Sequence, residues 1–429
     1  MLMRTQAPDS LETWLAYIEQ IHPQTINLGL DRIRPIAKSL QLTNFYCPVV
    51  IIGGTNGKGS TVRFLETILL KAGYSVGAYT SPHLLHFKER LRINNQTLSP
   101  ELWVAAFEVI EKARDTTPLT FFEFTTLAAL YLCRYSRDPQ PETLDILLLE
   151  VGLGGRLDAV NMVEPDISVI TSIELDHLDY LGPTRELIAI EKLGISRPLK
   201  PLILGSGAEL TPIKAFALKH QGGFYAYGKN LQIEQSSNSW FLQTVRGRTG
   251  PWPIPPLALR NAALALQVLE CLHERMPVSS IAITEGLRDA RLAGRQEWRE
   301  QNGILYCFDV SHNSEAIHYL ATHLKVLPCQ GKTYGIAALL SDKAVSALTP
   351  MVPLVDEWYL PYLRTPRAQL PEVLHAHLKT EQAKRCYTVA NVEEALSALS
   401  RHLVAGDRVI IFGSFYTVAA AKQALHHED

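Results

Sequence analysis

The sequence predicts an α/β protein of two domains, each with a mostly parallel sheet covered by helices. Two observations carry this prediction. Apolar runs such as residues 49–52 and 146–149 are continuous rather than alternating, which is typical of strands buried on both faces. These runs alternate with helical patterns, and a second strand–helix series starts after Gly294. We therefore expect a larger N-terminal domain over residues 1–294 and a smaller C-terminal domain over residues 295–429.

The individual elements follow from where the apolar runs begin and end. In the first domain, the predicted strands are 49–52, 75–79, 145–151 and 166–173, and the predicted helices are 63–72, 125–135, 185–193 and 261–274. The polar, Gly- and Pro-containing segment 229–256 predicts hairpins or loops. In the second domain, the predicted strands are 304–310, 333–339, 357–360 and 408–412, and the predicted helices are 313–327 and 416–425.

Length and composition argue against several classes of protein. The chain has 429 residues and a formal net charge of −2, which gives no electrostatic case for a nucleic-acid or membrane-surface partner. No apolar run approaches the roughly 18–20 residues that span a bilayer, and the first residues lack the apolar core of a secretion signal. The six cysteines form no C-x-x-C pair, so they predict scattered thiols rather than disulfides or a zinc site. We expect a cytoplasmic protein.

A glycine-rich loop follows the first predicted strand. It reads Gly53-Gly54-Thr55-Asn56-Gly57-Lys58-Gly59-Ser60-Thr61 and leads into a helical pattern. Glycines let backbone N–H groups approach an anion, a helix N-terminus favours negative charge, and a lysine reaches terminal phosphates. The match to the common phosphate-binding loop is imperfect, because Ile52 replaces its first glycine and Gly59 separates Lys58 from Ser60. An ordinary glycine-rich turn is the alternative; strand, lysine and helix together favour nucleotide binding.

Polar residues at other strand ends predict a metal site near this loop. Ser81 follows one strand, Glu150 lies at the end of another, and Asp176-His177 follow a third. Hard oxygen ligands suit Mg²⁺, for which histidine is a less usual ligand. Ser81-Pro82 also fits a simple turn, and Glu150 also fits a buried ion-pair partner.

A second glycine-rich loop, residues 151–158, lies at another strand end. It fits close approach to a ligand and a tight structural turn about equally well. Glu191-Lys192, near the end of a predicted helix, is by itself typical of a solvated charge pair.

The second domain has its own polar strand ends. Asp309 and His312 follow a strand and suit the orientation of a nucleotide or a proton transfer, whereas Ser311 or Asn313 could simply cap the next helix. Asp342-Lys343 and residues 364–367 also follow candidate strands, and we expect solvent-exposed loops there.

Six motifs in a fixed order resemble a known family. They are Gly-Thr-Asn-Gly-Lys-Gly-Ser (54–60), Thr-Ser-Pro-His-Leu (80–84), Glu-Val-Gly-Leu-Gly-Gly-Arg-Leu-Asp-Ala (150–159), Asp-His-Leu-Asp-Tyr-Leu-Gly (176–182), Glu-Lys-Leu-Gly-Ile (191–195) and Asp-Val-Ser-His-Asn (309–313). Together they resemble the Mur-ligase-like folylpolyglutamate synthases over nearly the whole chain. The opening segment 14–32 and Thr120-Phe121-Phe122-Glu123-Phe124 look most like the bacterial bifunctional type, which also makes dihydrofolate.

The resemblance implies an ATP-dependent amide ligase with a Mur ligase-like fold, in which a P-loop domain precedes a Rossmann-like domain. The carboxylate of dihydropteroate, or the γ-carboxyl of a folate's glutamate tail, would attack the γ-phosphate of ATP to give an acyl phosphate and ADP. The α-amino group of L-glutamate would then displace phosphate. Such a site must neutralise charge and hold the reacting groups in line. A monomer is the family expectation.

The resemblance also implies roles for residues that match the family's motifs. The ATP-binding positions are Asn56, Gly57, Lys58, Gly59, Ser60, Asn261, Arg295 and Asp309. The Mg²⁺ ligands are Ser81, Glu150 and His177, and Lys192 matches a lysine that is carbamylated in the family. Lys58, Lys192, Asp309 and His312 are the expected catalytic residues. The pterin-side pocket corresponds to Leu28, Gly29, Thr120, Phe121, Phe122, Leu157 and Asp158, although the aromatic pair could equally be core.

The chain departs from the family pattern at three places. Ala293-Gly294-Arg295-Gln296-Glu297 stands where the family usually has Pro-Gly-Arg-Phe-Gln, Ser311-His312-Asn313-Ser314 stands where it has Ala-His-Asn-Pro, and Leu193 replaces an alanine. The side chains with assigned chemistry are present in each motif. The departures concern the local geometry around Arg295 and the pocket beside Lys192.

Three alternative functions fit the sequence less well. Segment 120–124 argues against a monofunctional folylpolyglutamate synthase, and the opening 14–30 with the Lys-Gly-Ser form of the loop argues against a peptidoglycan amino-acid ligase. A non-catalytic nucleotide-binding module would not need the set Lys58, Glu150, Lys192, Asp309 and His312. We therefore expect ATP, L-glutamate, dihydropteroate and reduced folates as small-molecule partners, with no nucleic acid and no membrane.

Overall fold

The computed structural model describes residues 8–135 and 143–426. The chain divides into two compact units, Met1–Ala290 and Arg291–Asp429. The sequence placed its domain boundary a little later, after Gly294. Backbone hydrogen bonds explain the difference, because the Gly294 carbonyl accepts from the Val310 N–H at 2.8 Å and its own N–H donates to the Glu297 carboxylate at 2.9 Å. The turn around Gly294 is therefore held by the second unit.

The first unit contains a mixed set of helices and strands. Its helices are α1 (Leu11–Ile21), α2 (Ile33–Ser39), α3 (Lys58–Lys71), α4 (Pro100–Arg114), α5 (Phe121–Tyr135), α6 (Leu178–Leu181), α7 (Arg185–Leu193), α8 (Thr211–Lys219), α9 (Leu259–Leu272) and α10 (Ser280–Asp289). Its strands are β1 (Val49–Gly53), β2 (Val76–Tyr79), β3 (Leu91–Ile93), β4 (Gln96–Thr97), β5 (Ile146–Glu150), β6 (Ile167–Ile170), β7 (Leu202–Leu204), β8 (Phe224–Ala226), β9 (Gln232–Gln235), β10 (Ser239–Thr244) and β11 (Gly247–Pro253). Short 3₁₀ helices span Phe87–Arg90 and Ala159–Met162.

An eight-stranded sheet with the order β4-β3-β2-β5-β1-β6-β7-β8 forms the centre of this unit. The six strands from β2 to β8 in this order are parallel, and β3 and β4 add an antiparallel edge. All residues of β1, β2, β5 and β6 are buried, as their continuous apolar runs predicted. The chain passes from β1 to β2 on one side and reaches β6 on the other, so their carboxyl ends flank a switch point where ligands bind in open α/β sheets.

Two helices begin earlier than predicted. Helix α3 starts at Lys58 rather than residue 63, because Gly57, with φ of 89°, turns the chain directly from the loop into the helix. Helix α5 starts at Phe121 rather than residue 125, because the Thr120 hydroxyl accepts the Glu123 N–H and the Glu123 carboxylate accepts the Thr120 N–H. Both starts place predicted site residues in a first helical turn.

The N-terminal segment packs on the sheet through aromatic side chains. Trp14 of α1 lies 5.9 Å from Phe107 of α4 and 6.4 Å from Phe124 of α5, measured between ring centroids. All three side chains are buried, so α1, α4 and α5 share one core. This packing fixes where the chain after α1 runs.

The segment 229–256, predicted to form hairpins or loops, contains the separate antiparallel sheet β9-β10-β11.

The second unit is a smaller α/β layer structure. Its strands are β12 (Glu297–Gln301), β13 (Ile304–Asp309), β14 (Thr333–Ala337), β15 (Glu357–Pro361), β16 (Cys386–Val389) and β17 (Arg408–Phe412), in the order β12-β13-β17-β14-β15-β16. All pairs are parallel except β12–β13. Its helices are α11 (Ser314–Val326), α12 (Pro371–Thr380), α13 (Val392–Ser400) and α14 (Phe415–Ala424), with a 3₁₀ segment at Val345–Leu354. Across the described ranges, no helix has the length and apolar character needed to cross a membrane.

Candidate active site

The glycine-rich loop after β1 is held in place by the segment after β6. The Asn56 N–H donates to the Ser172 hydroxyl at 2.9 Å, and the Thr171 hydroxyl donates to the Asn56 carbonyl at 2.6 Å. Gly54, with φ of 138°, passes so close to Thr171 that a Cβ there would overlap the Thr171 hydroxyl. The loop is therefore pre-formed by contacts with a neighbouring strand end. A pre-formed loop of backbone N–H groups at a helix N-terminus is what phosphate binding needs.

Asn261 lies against the tip of this loop. Its side chain is 6% exposed and comes from the first turn of α9. A Cβ on Gly57 would lie 2.5 Å from Asn261 Oδ1 and 2.8 Å from its Nδ2. The structure thus brings two predicted ATP-binding positions, 204 positions apart in the sequence, into contact. Gly57 must be glycine here for two reasons, its left-handed backbone and the asparagine beside it.

This contact gives a testable expectation. Gly57→Ala should raise the KM for ATP about tenfold, because the left-handed backbone costs about 1–2 kcal/mol and the new methyl displaces Asn261. Gly73 is a matched control. It has φ of 86°, and a Cβ there would meet no atom within 4 Å. Gly73→Ala should lower the free energy of unfolding by about 1 kcal/mol and leave the KM for ATP at its wild-type value. Equal KM values in the two variants would contradict the predicted role of Gly57.

Lys58 folds back over its own loop. Its Nζ donates to the carbonyl oxygens of Gly54 at 3.0 Å and Thr55 at 3.1 Å. Its charge also favours the ionised form of Asp158, whose pKa burial nevertheless raises, and the neutral form of Lys192. Lys58, Asp158 and Lys192 therefore belong to one electrostatic site.

Lys192 is buried in this site, although a lysine beside a glutamate near a helix end is typical of a solvated pair. It is 2% exposed. Burial in the low-dielectric interior, followed by the Lys58 charge, lowers its pKa to about 7, and the Asp176 and Asp158 charges oppose this shift. Its neighbour Glu191 instead pairs with Arg156 at 2.8 Å. Roughly half of the Lys192 amine is therefore neutral at pH 7.

The second glycine-rich loop explains how Lys192 is buried. A Cβ on Gly155 would lie 2.9 Å from the Glu191 carbonyl oxygen and 3.2 Å from Lys192 Cα. The Arg156 N–H also donates to that carbonyl at 2.8 Å. Gly194 packs more closely still, because a Cβ there would lie 2.3 Å from Arg156 Cβ. Of the two roles that the sequence left open for this loop, close packing on α7 is the one that these contacts support directly.

Asp158 ends this loop and is almost fully buried. Its carboxylate accepts the N–H of Leu153 at 2.8 Å and the N–H of Val160 at 3.0 Å, which caps the 3₁₀ helix that follows. Burial raises its pKa to about 7, and the backbone hydrogen bonds and Lys58 only partly oppose that shift. Leu157 beside it is half-buried.

Two of the three predicted metal ligands are in contact. The Ser81 N–H donates to Glu150 Oε2 at 3.3 Å, and the Glu150 side chain is buried at the carboxyl end of β5. His177 adopts a left-handed conformation, with φ of 51° and ψ of 45°, just before the short helix α6. Its imidazole is one-third exposed and lies 4.0 Å from the Asp176 carboxylate. A buried carboxylate beside a serine fits a hard divalent cation.

The predicted pterin-side aromatics lie in the first turn of α5, and Phe122 packs against the ends of β2 and β5. The Phe122 ring stacks with Tyr79 at 6.3 Å between centroids, and a Cβ on Gly152 would lie 2.6 Å from the Phe122 ring. Phe121 meets Phe87 edge-on at 6.1 Å. Both predicted phenylalanines are half-buried, so each keeps surface that a flat ligand could cover.

The other predicted pocket residues are joined by Arg32, which the sequence analysis did not single out. Arg32 donates to the Asn27 carbonyl at 2.6 Å and pairs with Glu123 at 2.9 Å. It therefore ties Leu28 and Gly29, both half-buried, to the first turn of α5. Thr120 in that turn caps the helix, as described above, which gives it a structural role in addition to any contact with a ligand.

In the second unit, Asp309 organises a turn at the end of β13. Its carboxylate accepts the N–H groups of Gln296 at 2.9 Å and Ser311 at 2.8 Å. Burial raises its pKa, and the Arg295 charge is the largest opposing effect. The Arg295 guanidinium also lies 5.6 Å from the Phe415 ring centroid, an aromatic neighbour absent from the sequence prediction.

His312 lies in the same turn. Its Nδ1 is 2.8 Å from the Val310 carbonyl oxygen, which can only accept, so Nδ1 carries the proton and Nε2 is the proton-accepting nitrogen of the neutral ring. Asn313 accepts the Ala316 N–H, so the alternative of a helix cap is correct for this residue. Lys343, expected in an exposed loop, is buried and pairs with Asp342 at 3.0 Å.

Comparisons with known proteins agree with this architecture. Residues 52–239 match the Mur ligase middle domain, and residues 294–415 match the Mur ligase glutamate ligase domain. The dihydrofolate synthase/folylpolyglutamate synthase of Escherichia coli K12 is 38% identical over 98% of this chain and 96% of its own length. The protein of the same name from Haemophilus influenzae is 37% identical over 97% of this chain and 98% of its own length. The chain belongs to the dihydrofolate synthase/folylpolyglutamate synthase family.

Solved structures of this family extend the agreement to the fold. E. coli FolC in complex with DHPP and ADP has a TM-score of 0.92, with 38% identity and 99% coverage of both chains. The Yersinia pestis enzyme complexed with AMPPNP and Mn ion has a TM-score of 0.89, with 39% identity over 98% of this chain and all of that chain. Another member was solved with Mn, AMPPNP and L-glutamate bound. The predicted Mur ligase-like fold and the ATP-dependent ligase class are therefore confirmed.

Proposed function

We propose that this chain joins L-glutamate to dihydropteroate and to the γ-carboxyl of reduced folates, with ATP as the energy source. The observation that carries the proposal is the pre-formed glycine-rich loop that holds Lys58, whose charge also acts on the buried Asp158 and Lys192. In this family, solved members are bound to ADP, DHPP, AMPPNP and L-glutamate.

The chemistry has two steps. A carboxylate oxygen of the acceptor attacks the γ-phosphorus of ATP, and the bond from that phosphorus to the oxygen of ADP breaks. The glutamate nitrogen then attacks the acyl carbon, the bond to phosphate breaks, and the nitrogen loses its proton. We assign Lys58 and the backbone N–H groups of residues 56–60 to holding the phosphates. Two anions meet in the first step, so a fixed cation such as Lys58 favours the transition state over free reactants.

The residues that would hold Mg²⁺ are Ser81, Glu150 and His177. Glu150 and Ser81 fit this role because their contact places a buried carboxylate beside a serine at the strand end next to the phosphate loop. When bound, the ion would neutralise phosphate charge. We also propose that Lys192 is carbamylated, since its neutral amine is the form that reacts with carbon dioxide, and the product would be an anion close to Lys58.

We assign Asn261 of the first unit and, in the second unit, Arg295 and Asp309 to ATP orientation, and His312 to proton transfer. Arg295 supplies a fixed cation and Asp309 rigidifies its turn through two backbone N–H groups. His312 presents Nε2 as its proton acceptor, which suits removal of the proton from the glutamate amine. The cytoplasmic location and the monomeric state remain predictions.

An acceptor comparison tests the proposal. Glutamate-dependent ADP release should occur with dihydropteroate and also with tetrahydrofolate as acceptor, and mass spectrometry should find each product one glutamyl residue heavier. Omission of glutamate is the control. Turnover with tetrahydrofolate alone would select the monofunctional folylpolyglutamate synthase, whereas ATP binding without turnover on either acceptor would select the non-catalytic module.

A further inference from the structure

Arg90 is a cation on the wall of the proposed acceptor pocket that the assignments above do not use. Its guanidinium carbon lies 5.3 Å from the ring centroid of Phe121 and 5.6 Å from that of Phe87. Its Nε donates to His83 Nδ1 at 2.9 Å. Its backbone carbonyl accepts the Thr80 N–H at 2.8 Å, directly before the proposed metal ligand Ser81. Arg90 is thus fixed between the aromatic wall and the strand end that carries Ser81.

Among the described residues, no carboxylate forms an ion pair with the Arg90 guanidinium, although the Glu89 charge acts on it. The adjacent carboxylate, Glu89, accepts hydrogen bonds from three backbone N–H groups, those of Leu84, Leu85 and His86, at 2.5–2.8 Å. Burial lowers the pKa of Arg90, and the Tyr79 phenol and Glu89 only offset part of that effect. The guanidinium hydrogen-bonds the His83 ring and the Tyr79 phenol, and because it has five N–H donors it keeps donors for an incoming anion.

The two acceptors differ in one anionic group that could use these donors. Dihydropteroate ends in a single carboxylate, which is the reacting group. A folate ends in glutamate, whose γ-carboxyl reacts while its α-carboxylate remains as a second anion. Bidentate pairing with a carboxylate is the strongest interaction open to a guanidinium. The reacting carboxylate must instead reach the γ-phosphate of ATP.

We propose that Arg90 binds the α-carboxylate of the terminal glutamate of folate acceptors, and so adapts one pocket to both reactions. The inference rests on the proposed function, because it takes the Phe121 wall as the acceptor pocket. It makes Arg90 a specificity residue for the polyglutamylation reaction. The alternative is a purely structural role in packing between Phe87 and Phe121.

The test compares two acceptors in the wild type and in Arg90→Met, which keeps an unbranched side chain against Phe121 but removes the charge. We expect the ratio of kcat/KM for tetrahydrofolate to kcat/KM for dihydropteroate to fall about 50-fold, mainly through the KM for tetrahydrofolate, because a desolvated charge pair is lost. Arg90→Lys should recover part of the ratio. A structural role alone would lower both kcat/KM values together, and that result would overturn the proposal.

A tetrahydrofolate analogue with its α-carboxyl converted to the amide and its γ-carboxyl intact separates this inference from the proposed function. Equilibrium binding of acid and amide, measured with AMPPNP present, should favour the acid about 50-fold in the wild type and by no more than about threefold in Arg90→Met. Equal binding of acid and amide to the wild type would refute the role of Arg90, even in an active enzyme. Preserved discrimination without any turnover would support that role and contradict the proposed function.

Discussion

Lys58→Ala should reduce glutamate-dependent ADP release by at least about 1,000-fold with either acceptor. The physical reason is the role that we propose for Lys58, a fixed cation that binds the phosphates, because charge accumulates on the γ-phosphoryl oxygens as two anions meet. In the structure, its Nζ is held by two carbonyl oxygens of the same loop, Gly54 and Thr55. A cation positioned before the reaction does not have to be reorganised during it. The measurement is steady-state ADP release at saturating ATP, glutamate and acceptor.

Lys71 provides the control, because it lies at the other end of the same helix. It pairs with Asp289 at 2.7 Å and is partly exposed. Lys71→Ala should leave turnover within about twofold of wild type, since an exposed ion pair contributes about 0–1 kcal/mol to stability. Thermal unfolding of both variants checks that the fold is retained. Full turnover by a folded Lys58→Ala variant would show that the loop does not bind the reacting phosphates.

The strands could be predicted from sequence because a strand buried on both faces has apolar residues at successive positions. Runs such as 49–52 and 146–149 are apolar at every position, and both are fully buried in β1 and β5. The first residues of α3 and α5 were predicted four or five positions too late. Residues 58–61 include glycine, serine and threonine, which have low helix propensity, and the turn at Gly57 is what starts a helix there.

The candidate site could be predicted only where a motif carried its chemistry. The spacing of glycines and lysine in residues 54–60 predicted a loop of this kind. The burial of Lys192 could not be predicted in this way. It depends on the close packing of Gly155 and Gly194, and no motif around the lysine indicates that packing. Arg32 and Thr171 were missed for the same reason: each acts through a partner about 90 or more residues away.

The state of Lys192 has the second largest expected effect. Lys192→Ala should lower kcat about 1,000-fold, because both the proposed carbamate charge and its fixed position beside Lys58 are lost. Mass spectrometry of the intact wild type under carbon dioxide should find one added molecule of carbon dioxide, mapped to Lys192 by fragmentation. In the carbon dioxide-depleted enzyme, recovery of activity at a fixed dissolved carbon dioxide concentration should increase as the pH rises from about 6 to about 8.

The sign of this pH dependence follows from the lowered pKa of Lys192, about 7. Below that pH the amine is protonated and does not react with carbon dioxide, and above it the amine is neutral. Lys214 on α8 is the matched control, because its side chain is exposed rather than buried. Lys214→Ala should leave both kcat and the recovery profile as in the wild type. If the wild-type enzyme is fully active without added carbon dioxide, the carbamate proposal is wrong. Lys192 would then act as a neutral buried amine, held uncharged by its burial and by the Lys58 charge.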